Sequence, residues 1–296
     1  MSRTLTGADG NRLVATEMGA GARTVLLLHG GGQTRHAWGR TARRLAGAGW
    51  RAVALDQRGH GDSAWIESGA YGFSAFARDV EAVARRLAAE HGREPVAIGA
   101  SLGGMAALLA QGAVPVLDGL VLVDIVPRMD PRGVAHIQGF MRARANEGFG
   151  SIEEAAAAVS AYLPHRPRPA SLDGLRKNLR LHADGRWRWH WDPRFLDGPN
   201  AVDADRDEVE ARALQAARSL AIPTLLVRGG SSELVTPEAA EEFQALAPHA
   251  EYADVAEARH MVAGDRNDVF GDAVLRFLAA RFDAAERDGP VRALGA

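Results

Sequence analysis

The stretch Gly99-Ala100-Ser101-Leu102-Gly103-Gly104 constrains the fold more than any other part of the chain. It directly follows an apolar run at 96–98 and directly precedes a helical pattern at about 102–111. So tight a turn from strand into helix needs small residues two positions before and after the serine, because larger side chains would strike the neighbouring backbone. Gly99 and Gly103 meet this need. The pattern therefore predicts a strand, turn and helix that expose the Ser101 hydroxyl at the end of the strand.

Short apolar runs alternate with longer amphipathic ones through the first half of the chain. The runs at 25–28, 52–55, 96–98 and 120–123 are typical of buried strands, and helical patterns lie between them. This alternation predicts an α/β architecture, in which helices cover a parallel sheet. The same rhythm returns at 222–227 and continues to a closing helical pattern.

Between about residues 127 and 219 the rhythm is interrupted by Ala-rich helical runs, a proline cluster and three alternating tryptophans. We therefore expect a core domain made of residues 1–126 and 220–296, with residues 127–219 inserted between two strands of its sheet. A chain of 296 residues with 47% hydrophobic composition is long enough for one large domain that carries such an insertion.

Composition narrows the possible partners. The 35 Lys and Arg residues nearly balance the 37 Asp and Glu residues, so no charge excess favours nucleic acid or an anionic membrane, and we expect a small-molecule substrate. The absence of Cys excludes disulfides, thiolate metal sites and a Cys nucleophile. The first residues lack a secretory signal pattern, and no apolar stretch of about 18 residues occurs. We expect a soluble cytoplasmic protein, either a monomer or a homodimer.

A serine hydroxyl is a weak nucleophile unless a base removes its proton and a carboxylate orients that base. Of the ten histidines, only His260 lies in a loop after the last short strand, where the sheet edge would direct it toward Ser101. Two carboxylates compete for the third position. Glu233, in the loop after the strand at 224–227, is preferred, and Asp124, which ends the strand at 120–123, is the alternative.

The run His29-Gly30-Gly31-Gly32 follows another buried strand, where backbone amides can approach a developing negative charge without obstruction by side chains. The N–H groups of Leu102 and Gly31 are predicted to form an oxyanion hole, with Gly32 as the alternative to Gly31. The run lacks the Lys-Ser/Thr pair of a phosphate-binding loop.

Apolar and aromatic side chains are candidates for a substrate pocket. Trp187, Trp189 and Trp191 alternate, so an extended segment would present all three on one side, either as a pocket wall or as an anchor to the core. The candidate pocket residues are Gly32, Trp38, Phe140, Met141, Trp187, Trp189 and Met261.

Together these residues resemble the α/β-hydrolase superfamily over nearly the whole chain. The resemblance rests on the two glycine motifs around residues 29–32 and 99–104, on Asp56-x-Arg58-Gly59-x-Gly61-x-Ser63, and on the chain order Ser, acid, His. It implies the α/β-hydrolase fold: a mostly parallel eight-stranded sheet flanked by helices, with a helical lid inserted after strand 6. Family members usually carry Asp where this chain has Glu233, and some place the acid where Asp124 stands. Epoxide hydrolases and haloalkane dehalogenases carry Asp as nucleophile, so Ser101 argues against both.

The activity that the resemblance implies is hydrolysis of an ester or lactone of a small apolar substrate, through an acyl-enzyme and without metal or organic cofactor. Carbon–carbon bond hydrolases and perhydrolases use the same triad and are alternatives. A small-ligand receptor without turnover is an alternative from another class, because one fold can serve unrelated functions.

Overall fold

The fold is built around a central sheet. The computed structural model describes residues 1–164, 166, 171–265 and 267–283. The strands, numbered along the described chain, are β1 (Ser2–Thr6), β2 (Arg12–Met18), β3 (Thr24–Leu28), β4 (Arg51–Asp56), β5 (Val96–Ala100), β6 (Gly119–Val123), β7 (Leu179–Leu181), β8 (Trp187–Trp189), β9 (Thr224–Gly229) and β10 (Glu251–Val255). Eight of them form the sheet in the order β1-β2-β4-β3-β5-β6-β9-β10. The pairs from β4 to β10 are parallel, whereas β1 and β2 add an antiparallel edge. The expected mostly parallel sheet is confirmed.

Helices cover the sheet and build the segment between β6 and β9. Their bounds are α1 (Gly39–Gly47), α2 (Phe73–His91), α3 (Leu102–Ala113), α4 (Pro131–Arg142), α5 (Ile152–Tyr162), α6 (Asp173–Arg176), α7 (Arg206–Ser219), α8 (Pro237–Leu246), α9 (Val262–Asp265) and α10 (Asn267–Leu278). Short 3₁₀ helices at Arg35–Trp38 and Pro193–Phe195 and a π-helical turn at Ala279–Asp283 complete the set.

The two faces of the sheet carry separate apolar layers. Along β3, Leu26 and Leu28 pack on the side covered by α2 and α3, whereas Val25 and Leu27 pack on the side covered by α1 and α10. Successive side chains of a strand point to opposite faces, so a strand covered on both faces must be apolar throughout. This requirement explains why the central strands appear in the sequence as unbroken apolar runs.

Local sequence signals set several helix starts. Asp130 accepts the N–H of Arg132 ahead of Pro131, the first residue of α4, and Ser151 accepts the N–H of Glu154 at the start of α5. Such caps satisfy N–H groups that have no partner within the helix. Both helices therefore begin where the sequence supplies a capping side chain.

The segment between β6 and β9 contains α4 to α7, and it also contains the β7–β8 hairpin. The sequence predicted a helical insertion with the three tryptophans on an extended segment, but it did not predict that this segment pairs in a hairpin. The hairpin forms because the alternating tryptophans place their side chains on one side, with Trp189 buried and Arg188 paired with Asp184 on the other. The division into core and lid at residues 127 and 219 stays a prediction, and residues 284–296 of the expected core lie outside the described residues. We call the segment between β6 and β9 the insertion.

Candidate active site

Ser101 lies at the turn between β5 and α3 with φ 47° and ψ −114°, a backbone conformation that side-chain-bearing residues rarely adopt. The turn is possible because its neighbours are glycines. A Cβ on Gly99 would lie 2.5 Å from the carbonyl oxygen of Gly103, and one on Gly103 would lie 2.5 Å from the carbonyl oxygen of Leu28. The strand, turn and helix predicted around Ser101 are therefore present, and they expose Ser101 to a cavity at the carboxyl edge of the sheet.

His260 lines the same cavity and pairs with Asp124. Nδ1 of His260 lies 2.8 Å from Oδ2 of Asp124. A carboxylate accepts hydrogen bonds and cannot donate them, so the Nδ1 atom carries the proton and Nε2 is left to act as an acceptor. This is the tautomer that a general base facing a serine hydroxyl requires.

Asp124 is fully buried at the end of β6, where three donors surround its carboxylate. Besides His260, the Gly229 N–H donates to Oδ1 at 2.9 Å and the Ser232 hydroxyl donates to Oδ2 at 2.6 Å. Charge-assisted hydrogen bonds of this kind stabilise a buried carboxylate and hold it in one orientation. The last residue of β9 and the loop after it therefore supply donors to the acid.

The sequence-based preference for Glu233 over Asp124 is not supported by this geometry. Glu233 lies in the predicted loop, but its charge acts on Tyr162, whose pKa rises to about 12 through burial and the nearby Glu233 carboxylate. Within the described chain, the buried Oε2 of Glu233 has no hydrogen-bond partner. Both candidate acids follow neighbouring strands at one edge of the sheet, so the sequence could not show which side chain faces His260.

The glycine run after β3 passes beside Ser101, since a Cβ on Gly30 would lie 3.5 Å from the Ser101 Cβ. The N–H of Gly32 donates to Nε2 of His60 at 3.1 Å, so this group is already used. Among the described residues, no acceptor bonds the N–H of Gly31 or of Leu102. Of the two predicted alternatives, the geometry favours Gly31 as the oxyanion donor that acts with Leu102.

Two other histidines near the site, His29 and His60, are fully buried, and their rings are hydrogen-bonded to the backbone of the loops. The Nδ1–H of His29 donates to the Gly30 carbonyl, and its Nε2 accepts the N–H of Gln57. Burial lowers the pKa of His29 to about 4 and that of His60 to about 3, so both rings are neutral near pH 7. Neither is placed beside Asp124 in the way that His260 is.

The cavity has a volume of about 490 Å³ and is mostly apolar. Its floor is formed by the sheet edge around Ser101 and by the glycine run after β3, and its walls come from the insertion. Members of the wall include Val134, Ile137, Phe140, Met141, Val159, Tyr162, Trp189, Trp191 and Phe195. A cavity of this size can bury a ligand of moderate size beside a serine, a histidine and two available N–H groups.

Six of the seven candidate pocket residues line this cavity: Gly32, Trp38, Phe140, Met141, Trp189 and Met261. Trp187 does not. It lies instead under the guanidinium of Arg176, 5.4 Å from ring centroid to Cζ, where the hairpin meets α6. Trp187 pairs with Leu181 at the turn end of the hairpin, one pair beyond Arg188 from Trp189, and the alternation of tryptophans alone does not reveal this position.

Sequence reasoning missed Ser232, whose hydroxyl donates to the acid, and Phe195, which lines the cavity together with Trp191 and Tyr162. The row of tryptophans was a signal for Trp191, whereas nothing in the pattern distinguished Ser232 from its neighbours.

Among the residues that the structure describes, no group of three or more His, Asp or Glu side chains is arranged to hold a metal ion. In the same part of the chain, no helix is both long and apolar enough to cross a membrane.

Comparison with known proteins places the chain among hydrolases. The family model described as serine aminopeptidase, S33, matches residues 20–267. An esterase of Mycobacterium tuberculosis is 35% identical over 240 residues, which cover 79% of this chain and 75% of the relative. An sn-1-specific diacylglycerol lipase of Mus musculus is 29% identical over 250 residues, with 78% and 72% of the two chains covered.

A solved structure of an α/β hydrolase from Novosphingobium aromaticivorans is similar over 94% of this chain and 98% of its own, with a TM-score of 0.77 and 26% identity. The similarity extends across nearly all of both chains, so it includes the sheet and the flanking helices.

Proposed function

Since the chain belongs to the serine aminopeptidase S33 family of the α/β-hydrolase superfamily, we propose that it hydrolyses an ester or lactone of a small apolar substrate with Ser101 as nucleophile. The resemblance to this superfamily that the motifs implied is confirmed, and the protein is a hydrolase. The proposal concerns the bond that it cleaves and the residues that cleave it.

One observation carries the proposal. His260 lines the same cavity as Ser101, which sits at its strained turn, and a hydrogen bond of 2.8 Å joins His260 to the buried Asp124. Ser101 and His260 thus line one cavity and Asp124 is bonded to His260, which supports the proposed roles of nucleophile, base and orienting acid. That combination is recognised by geometry and roles, whatever the chain positions.

In the first half of the proposed reaction, Nε2 of His260 takes the proton of the Ser101 hydroxyl as its oxygen attacks the substrate carbonyl. Negative charge develops on the carbonyl oxygen, which the N–H groups of Gly31 and Leu102 hold. The tetrahedral intermediate collapses as His260 protonates the leaving alkoxide. Ser101 is then acylated.

In the second half, His260 removes a proton from water, and the hydroxide attacks the acyl carbonyl at the same oxyanion site. Collapse returns the proton from His260 to the Ser101 oxygen and releases the carboxylic acid. Asp124 keeps its charge throughout, because its part is to hold the ring in the Nδ1–H tautomer and to stabilise the imidazolium.

The cavity supports an apolar substrate of moderate size. Its volume of about 490 Å³ is in the range of small-molecule pockets, about 300–1,000 Å³, and its walls are aliphatic and aromatic. The names of the relatives, an esterase and a diacylglycerol lipase, favour an ester bond. The proposed substrate is therefore an ester or lactone whose acyl part lies against the insertion.

The test is labelling of the folded protein with a fluorophosphonate, followed by peptide mapping and by assay with p-nitrophenyl esters. We expect label on the peptide that contains Ser101, and hydrolysis that Ser101→Ala abolishes together with the label. Folded protein that takes no label at Ser101 would overturn the nucleophile assignment. Cleavage of a ring-fission dione would indicate a carbon–carbon bond hydrolase, and formation of a peracid would indicate a perhydrolase. Labelling of Ser101 without turnover of any of these substrates would indicate a receptor.

A further inference from the structure

His60 lies where three parts of the molecule meet: the glycine run after β3, the loop after β4 and the insertion. Its Nε2 accepts the N–H of Gly32 at 3.1 Å, and its Nδ1–H donates to the Arg58 carbonyl at 2.9 Å. Its ring packs edge-on against Phe195 of the insertion, with 4.9 Å between ring centroids. Both nitrogens of this buried ring are therefore used, each by a different segment of backbone.

The hydrogen bonds determine the protonation state of the His60 ring. A carbonyl at Nδ1 and an N–H at Nε2 require a neutral ring with its proton on Nδ1. Desolvation keeps the ring neutral by lowering its pKa to about 3, although the nearby carboxylates of Asp56 and Asp192 oppose this shift and His29 favours it. His60 thus stays an acceptor for Gly32 throughout the neutral pH range.

The bond to Gly32 acts on the backbone beside the proposed oxyanion donor. Gly32 follows Gly31 directly, so holding the Gly32 N–H fixes the plane of the peptide that joins the two residues. Glycines have more backbone freedom than other residues, and a run of them needs outside restraints to keep one conformation. The Gly30 N–H bond to the Gln33 side chain, 3.1 Å, and the Gly32 bond to His60 are two such restraints.

The insertion reaches the same place. Phe195 contacts the glycine run itself, since a Cβ on Gly31 would lie 3.3 Å from the Phe195 Cζ. The loop after β4 is bonded to the insertion on both sides of His60, by Asp192 N–H to the Gly59 carbonyl at 2.8 Å and by Gly61 N–H to the His190 carbonyl at 2.7 Å. The insertion therefore contacts both the glycine run and the loop whose His60 restrains that run.

We propose that His60 is a positioning residue for the oxyanion donor Gly31, and that its contact with Phe195 couples the docking of the insertion to the geometry of the oxyanion hole. The inference rests on the proposed function, because it assigns His60 a part in the same reaction. His60 is not among the described residues that line the cavity, so it acts through the backbone of residues 31 and 32.

The first test compares His60→Gln with His60→Phe in steady-state hydrolysis of a p-nitrophenyl ester and in inhibition by phenylboronic acid, whose serine adduct places an oxygen in the oxyanion hole. Gln keeps an acceptor near the place of Nε2, whereas Phe keeps the ring and removes both hydrogen bonds. We expect His60→Phe to lower kcat at least about tenfold with little change in KM, and to weaken boronate inhibition by a similar factor. His60→Gln should recover most of both losses.

His249→Phe is the matched control, because His249 is exposed and remote from the cavity, and it should retain the kinetics of the unchanged protein. Folding of each variant is checked by circular dichroism and thermal melting. If His60→Phe folds and keeps kcat and boronate affinity, the positioning role is refuted while the proposed hydrolysis stands. If the unchanged protein hydrolyses no ester and takes no fluorophosphonate, the proposed function itself has failed.

A measurement on the unchanged protein does not depend on the folding of any variant. ¹⁵N NMR of selectively labelled histidine should show His60 as the Nδ1–H tautomer at pH 7, and the Gly32 amide should exchange slowly with deuterium. An Nε2–H tautomer, or a rapidly exchanging Gly32 amide, would overturn the proposal.

The coupling to the insertion is tested by a double-mutant cycle with Phe195→Leu. We expect Phe195→Leu to weaken boronate inhibition in the unchanged background and to have a smaller effect in His60→Phe, because the two side chains act through one contact. Strictly additive losses would show that Phe195 acts independently of His60.

Discussion

His260 and Asp124 are 136 positions apart in the chain, and a hydrogen bond of 2.8 Å joins them. The sheet topology brings this about, because Asp124 directly follows β6, and β6 lies two strands away from β10, which leads into the loop of His260. The donors that surround Asp124 from the last residue of β9 and the loop after it complete the arrangement. The acid is therefore held by the sheet and by both neighbouring loops.

The first prediction separates the two candidate acids. Asp124→Asn should lower kcat by roughly 10³- to 10⁴-fold, because an amide at this position favours the wrong tautomer of His260. Glu233→Gln should change kcat by less than about threefold, since Glu233 does not face His260. The measurement is kcat with a p-nitrophenyl ester, and thermal melting shows that both variants fold. A large loss in Glu233→Gln, or equal small losses in both, would contradict the assignment of Asp124.

The second prediction concerns the cavity wall. Phe140 stacks on Tyr162 with 4.0 Å between ring centroids, and both side chains line the cavity. Phe140→Ala should enlarge the space for the acyl part and shift the preference in kcat/KM toward longer p-nitrophenyl esters by about tenfold or more. Trp187→Ala removes an aromatic side chain outside the cavity, so its chain-length profile should match that of the unchanged protein. An identical shift in both variants would mean that Phe140 does not limit chain length.

The third prediction is a pH dependence of stability that arises from His29 and His60. Their pKa values are about 4 and about 3 in the folded chain and 6.5 in model peptides, so the unfolded chain binds more protons between those values. Stability should therefore rise with pH through this window and fall as pH drops below about 6.5. The contribution of His29 to this loss in the free energy of unfolding is up to about 3 kcal/mol by pH 4.

Urea midpoints between pH 7 and 4.5 measure this effect. The carboxylates titrate in both proteins, so the comparison of the unchanged protein with His60→Gln isolates the histidine. The variant should lose less stability on acidification, whereas His249→Gln, which replaces an exposed ring, should follow the unchanged protein. A His60→Gln variant with an unaltered slope would show that His60 is not held neutral by burial.

Much of the fold was predictable because the central strands are covered on both faces. Runs such as 25–28 and 120–123 must be apolar at every position, which sets them apart from the amphipathic helices. The edge strand β1 (Ser2–Thr6) has mostly exposed side chains, so no apolar run identifies it. The β7–β8 hairpin was missed because three residues per strand are too few for a periodic pattern.

The candidate site was predictable where backbone geometry demands particular residues. Gly99 and Gly103 are required by the turn around Ser101, so that motif predicts its own structure. The acid is different, because Asp124 and Glu233 follow neighbouring strands and only the orientation of their side chains distinguishes them. Side-chain orientation depends on contacts between distant residues, which a single sequence does not reveal.

The two strands that flank the insertion, β6 and β9, are paired with each other, and the Asp124 N–H, directly after β6, donates to the Val227 carbonyl of β9 at 2.7 Å. The length of chain between such fixed ends can change at small cost, about 0.6 kcal/mol for each doubling. The proposed nucleophile, acid and base all lie outside the insertion, so we expect the insertion to be exchangeable. A foreign segment grafted between residues 126 and 220 should give the enzyme a new substrate range with its chemistry retained, provided that an aromatic ring takes the place of Phe195 against His60.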